Sequence, residues 1–326
     1  FMRLGTAVPD SDIRATAEYD AAAALINLEA WDRASTVLEG FRRNHPDSEF
    51  AEDVTQKLAV TYLNSGRATE AAAEFERMAS AETSGDEVRR EALWKAAELY
   101  AQSAAVGSEK RVLENLVARY PDPVAESIEA RFRLLEIERA AGDEAAVTAR
   151  LEELVRVDAT AGAQRTDRTR FLAAKAALEL AAPTWRRFAV SKLDQPLAES
   201  MKLKRSLMED VIDAYTKAAD YGVAEVTTAA THKLGEAYEK FSTDLMESER
   251  PAELDEVALE QYELLLEEQV YPFEEKAIDL YQANTDRTPD GVYDDWVRRS
   301  FERLALLLPA RYAKVERSED VVTALY

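Results

Sequence analysis

The sequence predicts an all-α protein, an α-solenoid of antiparallel helix pairs whose pairs become longer toward the C-terminus. Three observations carry this expectation. Only 10 of the 326 residues are glycine, well under the usual ~7%, while Ala, Leu, Glu and Arg, all good helix formers, dominate. Apolar residues recur at i, i+3, i+4 and i+7, as in Ala34, Val37, Leu38 and Phe41, and no sustained period-two alternation competes. Equivalent positions Ala21, Leu58, Ala96, Leu134 and Leu172 lie 37, 38, 38 and 38 residues apart, a period typical of stacked helix pairs.

The elements follow in order. Four segments beginning at Ala17, Val54, Glu91 and Glu129 each read as a first helix, a short turn and a second helix. Ala34 and Ala71 are small residues that let a second helix approach its first, and Leu38 and Phe75, one turn later, fill the space between pairs. Prolines 46, 121, 251, 272, 289 and 309 are expected between helices, where a missing N–H does least harm. Two departures stand out: Glu109 occupies the small-residue slot of the third pair, and the fourth pair lacks both an aromatic residue and a proline. "GDEAAV" at Gly142 reads as the turn inside that fourth pair. After about residue 164 the period lengthens, since the next first-helix pattern, at Leu234, lies 62 residues beyond Leu172. The expected organisation is an N-terminal tail or linker at 1–13, a regular array at 14–182, an elongated helical region at 183–316 and a C-terminal tail at 317–326.

Leu58, Ala59 and Tyr62 followed by Ala71 and Phe75 resemble the tetratricopeptide repeat (TPR) pattern W-x₂-L-G-x₂-Y, A-x₃-F, P. Ala96, Ala97 and Tyr100 followed by Leu113 and Pro121 match it in part, and Leu234-Gly235-x-x-Tyr238 is the cleanest first-helix match. The resemblance implies a TPR-like α-solenoid. Toward the C-terminus, "YGVAEVTTAATHKLGEAY", "LMESERP", "EQYELLLEEQVYPFEEKAI" and "DGVYDDWVRRSFERLALLLPARYAK" resemble TPR proteins of bacterial envelopes associated with Tol, TonB-ExbB-ExbD or gliding-type motors. That second resemblance implies a periplasmic scaffold whose partners are envelope motor or outer-membrane complex components. Chaperone-binding TPR domains hold a terminal carboxylate with Lys and Asn on their first helices. Here the matching places carry Tyr19, Ala23 and Glu91, so a chaperone tail is not the expected ligand.

Composition narrows the function classes. A formal charge of -22 sets the chain against nucleic-acid backbones and anionic lipid surfaces. Without cysteine there is no disulfide framework, no thiolate nucleophile and no zinc site built on Cys. No stretch approaches the ~18–20 apolar residues of a membrane span, and "FMRLGTAVPDSD" lacks the basic and long apolar regions of a signal peptide. The expectation is therefore either a cytosolic protein or one whose targeting segment lies outside this chain; the Phe before Met fits the second case or a sequence boundary. The envelope resemblance favours the periplasm, with the cytoplasm as alternative.

Candidate chemistry is sparse. The two histidines, His45 and His232, fall in different pairs, where a shared site is not expected; His45 suits a helix-to-loop junction and His232 a helix face. Adjacent acids such as Glu267-Glu268, Glu274-Glu275 and Asp294-Asp295 point ~100° apart on a helix and do not converge. No phosphate loop, His-Glu-x-x-His or EF-hand pattern occurs. No enzyme activity, cofactor or metal is expected; the opposing possibility, an enzyme using surface carboxylates, would require acids with raised pKa converging on one pocket.

The expected function is thus a non-catalytic protein–protein interaction scaffold, with a cytosolic assembly or regulatory adaptor as alternative. A solenoid offers a groove lined by its first helices. That face should present Tyr19, Ile26, Asn27, Gln56, Val60, Leu63, Asn64, Glu91, Trp94, Glu98, Gln102, Glu129, Phe132 and Arg139. Asn27, Asn64 and Gln102 occupy equivalent positions and could ladder along a peptide backbone or simply end their helices; Trp94 is either an anchor or core. Arg186, Arg187, Lys192, Lys202, Lys204 and Arg205 form a basic island that either receives an acidic partner or lipid head group, or neutralises the helix carrying Glu260, Glu263, Glu267 and Glu268. The last helix, with Tyr293, Trp296, Val297, Phe301, Leu304, Leu307 and Leu308, is apolar over more than one stripe, so it either folds back on the preceding pair or docks a partner.

Overall fold

A computed structural model describes residues 13–81 and 83–313. The expected tails fall outside these residues, apart from Ile13, which opens the first helix. The described chain is all-α, with helices packed in chain order and no strand, and it divides into two compact units, Phe1–Arg150 and Leu151–Tyr326.

The first unit contains α1 (Ile13–Asn27), α2 (Trp31–Asn44), α3 (Ala51–Asn64), α4 (Ala68–Ser80), α5 (Asp86–Gln102), α6 (Val106–Arg119), α7 (Val124–Ala140) and the start of α8 (Glu144–Thr160). From α1 to α7 each helix packs on its successor. The two helices of every pair are joined by the same three-residue turn. Its middle residue, Glu29, Gly66, Ala104 or Gly142, has left-handed φ of 55°, 75°, 54° and 72°, and these residues repeat at the 37–38 spacing of the chain. The next residue's N–H reaches back to a carbonyl five residues earlier: Ala30 to Leu25, Arg67 to Tyr62, Ala105 to Tyr100 and Asp143 to Glu138. This satisfies a carbonyl the helix end would otherwise orphan and reverses the chain in minimal length.

The small-residue slots behave as the spacing requires. Ala34 and Ala71 are fully buried, as are Leu38, Leu58, Leu113 and Leu134. Glu109, in the third slot, is also buried, and its carboxylate meets the Arg133 guanidinium of α7 at 2.5 Å. An acid is tolerated there because a fixed cation from the next helix offsets its desolvation. Successive pairs are further tied by tyrosines ending the first helices: Tyr62 Oη donates to Glu39 at 2.7 Å and Tyr100 Oη to Glu76 at 2.6 Å. Burial, then the hydrogen bond to Glu76, pushes the Tyr100 phenol up to about 12.

The second unit holds the remainder of α8, a 3-10 turn at Gly162–Gln164, α9 (Asp167–Leu180), α10 (Ala182–Val190), α11 (Leu197–Ala219), α12 (Ala224–Met246), α13 (Glu256–Thr285), a second 3-10 turn at Thr288–Asp290, α14 (Asp295–Leu307) and the four-residue α15 (Pro309–Tyr312). Side-chain caps start α9, α13 and α14: Thr166 accepts from the Thr169 N–H, Asp255 from Ala258, and Asp294 from Trp296 and Val297. Each satisfies orphan N–H groups at a helix start.

Pro272 corrects a sequence expectation, because it lies inside α13 rather than between helices. An interior proline costs about 3 kcal/mol. The apolar stripe nevertheless continues through it: Leu266 and Val270 before the proline, and Phe273, Ala277 and Tyr281 after it, are all buried or half-buried. Packing of this stripe along α12 keeps α13 continuous.

The last long helix, α14, folds back on both α12 and α13. Val297 and Leu304 are buried, Arg303 pairs with Glu239 of α12, and Thr228 Oγ1 donates to Asp294 at 2.5 Å. Glu239 also accepts from Tyr281 Oη of α13 at 2.8 Å. The Leu234-Gly235-x-x-Tyr238 pattern acquires its reason here. A Cβ on Gly235 would come within 2.7 Å of the fully buried Tyr281 ring, so only glycine lets α13 approach α12 this closely.

Ala104→Gly should raise, and Gly66→Ala lower, the unfolding midpoint of the first unit by about 2–4 °C, corresponding to about 1 kcal/mol of left-handed backbone strain removed or added. Gly235→Ala should destabilise the second unit by about 1–3 kcal/mol through overpacking against Tyr281, read by urea denaturation; an unchanged midpoint would contradict the close approach.

Candidate functional site

The first-helix residues expected to line a groove differ widely in surroundings. Asn27, Gln56, Val60, Asn64, Glu91, Glu98, Gln102 and Arg139 are exposed. Asn27, Asn64 and Gln102 are each the final residue of their helix, and Asn64 Nδ2 donates back to the Val60 carbonyl at 2.8 Å. Glu98 pairs with Lys95 at 3.0 Å, and Arg139 pairs with Glu136. Ile26, Leu63 and Trp94 are half-buried against the core of the first unit, and Phe132 and Glu129 are half-buried as well. Tyr19 is engaged within the array. Its ring stacks on Phe50 at 4.5 Å, its hydroxyl donates to Asp53 of α3, and Lys57 lies over its face.

The basic island separates into exposed and buried members. Arg186, Arg187, Lys192, Lys202 and Arg205 are exposed, whereas Lys204 is fully buried and therefore contributes nothing to an exposed patch. Its ammonium lies 2.5 Å from Asp244 and also donates to the Ser191 carbonyl, over the face of Phe188. Burial lowers the Lys204 pKa, and the bond to Asp244 opposes that shift. Of the acids expected to be neutralised by this island, Glu263 has a different partner, lying 3.7 Å from Arg250.

A concave surface in the second unit was not anticipated from the sequence. Val155 of α8, Ala177 and Leu180 of α9, Ala181, Thr184 of α10, and Asp210, Asp213, Ala214 and Lys217 of α11, with Asp220 and Tyr221 just beyond it, line a groove of ≈ 570 Å³. Its floor is aliphatic and its α11 rim is acidic. Lys217, the one cation among the lining residues, is already held by Asp213 at 2.6 Å. The available signal was the 3-4-3 spacing of residues 210, 213, 217 and 220, which puts all four on one helix face, beside the small Ala214. It is hard to read from sequence because the apolar half of the surface comes from helices 30 and more residues away.

A second cluster has the order of a hydrolytic triad but the surroundings of a core. His232 Nδ1 lies 3.0 Å from Ser300 Oγ, and its Nε2 lies 3.5 Å from Glu236. Asn284 Nδ2 donates to Ser300 Oγ at 3.1 Å and to the Thr228 carbonyl at 2.9 Å. Ser300 and His232 are 0% and 2% exposed, with Tyr281 and Trp296 against the imidazole. The network joins α12, α13 and α14 and presents no hydroxyl to a substrate. Burial pushes the Glu236 carboxyl up, but hydrogen bonds from His232 and Lys233 outweigh it and hold it down at about 2. Glu70 and Glu76 are lowered as well, by Arg67 and by Arg111 with Tyr100, against the opposing effect of burial. A general acid needs its pKa moved the other way. Among the described residues no group of three or more His, Asp or Glu is placed to hold a metal ion, and no helix is long and apolar enough to cross a membrane.

No protein-family model matches the chain, and no curated protein matches it. Among solved structures, a tetratricopeptide repeat protein from Parabacteroides merdae ATCC 43184 aligns with 13% identity over 81% of this chain and 98% of its own, at a TM-score of 0.32. A computationally designed self-assembling cyclic homooligomer aligns with 14% identity over 90% of this chain and 99% of its own, at a TM-score of 0.22. Superpositions this loose carry no argument about this chain; its architecture rests on its own helix pairs.

The lowered Glu236 carboxyl predicts an acid sensitivity. A group whose folded pKa is depressed contributes stability that is fully present above its unfolded value and is lost as pH falls. Here that window runs from about 4.5 down to about 2. Glu236→Gln should flatten the pH dependence of the second unit's unfolding over that interval; an equally steep loss in the variant would show that Glu236 is not responsible.

Proposed function

We propose that this chain is a non-catalytic protein–protein interaction scaffold and the periplasmic TPR component of a bacterial envelope motor or transport complex. The observation that carries the scaffold reading is the groove along α11. It is a preformed concave surface with an aliphatic floor and unevenly distributed charge, on an array of helix pairs that leaves such surfaces open. The burial of Ser300 and His232 supports the same reading, since their arrangement with Glu236, which resembles a catalytic triad, serves packing. The envelope assignment rests on the C-terminal runs that resemble motor-associated repeat proteins, and the acidic charge of -22 favours protein partners over nucleic acid or anionic lipid.

Affinity purification of the natural full-length protein from native membranes, with subcellular fractionation in parallel, tests both parts. Envelope motor or transport components should co-purify in stoichiometric amounts, with the protein in the periplasmic fraction. Recovery of cytosolic partners alone would overturn the envelope assignment in favour of a cytosolic adaptor, and a chain that purifies without any stoichiometric protein partner would overturn the scaffold reading.

A further inference from the structure

We infer that the α8–α11 groove receives a basic amphipathic helix of a partner protein, with two Lys or Arg residues about three turns apart bracketing an apolar stripe. This rests on the scaffold reading and adds the chemistry of the partner.

Asp210, Asp213 and Lys217 of α11 and its C-cap residue Asp220 follow one another along a single face. Asp213 is neutralised by Lys217, while the side chains of Asp210 and Asp220 have no partner among the described residues. Ten residues of helix separate them, about 15 Å along the axis. Two unpaired carboxylates thus stand at the ends of a groove whose floor, from Val155, Ala177, Leu180 and Ala214, is aliphatic. Complementarity then fixes the occupant. An apolar stripe at i+3, i+4 and i+7 would cover the floor, and cations at i and i+10 or i+11 would reach the two carboxylates. A helix meets both demands at once because its rise matches that of α11. An extended strand would cover the same span in about five residues and turn every second side chain away from the floor.

The same charges argue against other occupants. Anionic lipid and nucleic acid would place negative charge against Asp210 and Asp220, and a second copy of a chain carrying -22 would meet general repulsion.

The test uses the full chain and two fluorescein-labelled 18-residue helical peptides of Leu and Ala. One carries Lys at positions 4 and 14, and the other Glu at the same places. Fluorescence anisotropy at low and physiological salt should show saturable binding of the Lys peptide, salt-weakened, and none of the Glu peptide. The double variant Asp210→Asn, Asp220→Asn should weaken the Lys peptide at least about tenfold, because two charge-assisted contacts are lost. Ala214→Phe, which fills the floor, should weaken it comparably while leaving the circular dichroism spectrum unchanged. Glu267→Gln with Glu268→Gln, at exposed acids of α13, should leave the affinity unaltered and so controls for general acidity. Equal loss in that control, equal binding of both peptides or no loss in the Asp210 and Asp220 variant would overturn the assignment. A wild-type dimer in sedimentation that the Asp210 and Asp220 variant dissolves would also overturn it, giving the groove to a second copy. If that variant still co-purifies with its native protein partners, the scaffold reading stands even where this groove assignment falls.

Discussion

A short helix hairpin cannot cover its own apolar stripes, and the rest of this structure depends on that constraint. Each hairpin must bury its stripe against a neighbour, so the turn that closes it must also deliver the next helix in register. In the first unit a left-handed residue does this every 37 or 38 positions, at Glu29, Gly66, Ala104 and Gly142. Two of the four are not glycine, although a side chain there is strained by about 1–2 kcal/mol. Their persistence shows that hairpin closure outweighs local propensity: the repeat demands the conformation, and packing on both sides enforces it.

Electrostatics inside an acidic chain follows from the same stacking. Carboxylates on second helices face the adjacent pair, where burial would be costly without a cation. Glu74 receives Arg42 in a two-point contact at 2.6 and 2.9 Å and Glu109 receives Arg133; within the fourth pair, buried Glu138 of the first helix receives Arg150 of the second at 3.0 Å. In the second unit, Asp158 is buried with Arg165 at 2.8 Å, and Lys204 is drawn inside to Asp244. These cations are committed to holding helices together. The acids left on the surface, Asp210 and Asp220 among them, therefore dominate the field a partner would meet.

The sequence shows some of this and conceals the rest, for identifiable reasons. The period, the small-residue slots at Ala34 and Ala71 and the turn at Gly142 were visible, since each is a local pattern. The equivalent turns at Glu29 and Ala104 were not, because neither residue advertises a left-handed φ. Pro272 reads as a helix boundary because its tolerance comes from α12, which no local window contains. Gly235 could be noticed as part of a motif, but its purpose, making room for Tyr281, belongs to a helix 46 residues on. Lys204 looked like one member of a basic island, and nothing nearby in sequence indicated that Asp244 would take it out of solvent. The α8–α11 groove is not legible as a surface in the sequence, since its floor and rim come from four separate helices.

The sequence alone determined the class of structure: helical periodicity, repeat length and the scarcity of glycine are local and additive, so they survive without knowledge of the fold. Only the tertiary structure decided which polar groups are inside and which surfaces remain open. Burial and charge pairing depend on which helices meet, and a Lys204 or an Asp210 acquires its meaning from side chains that the chain brings to it across tens of residues.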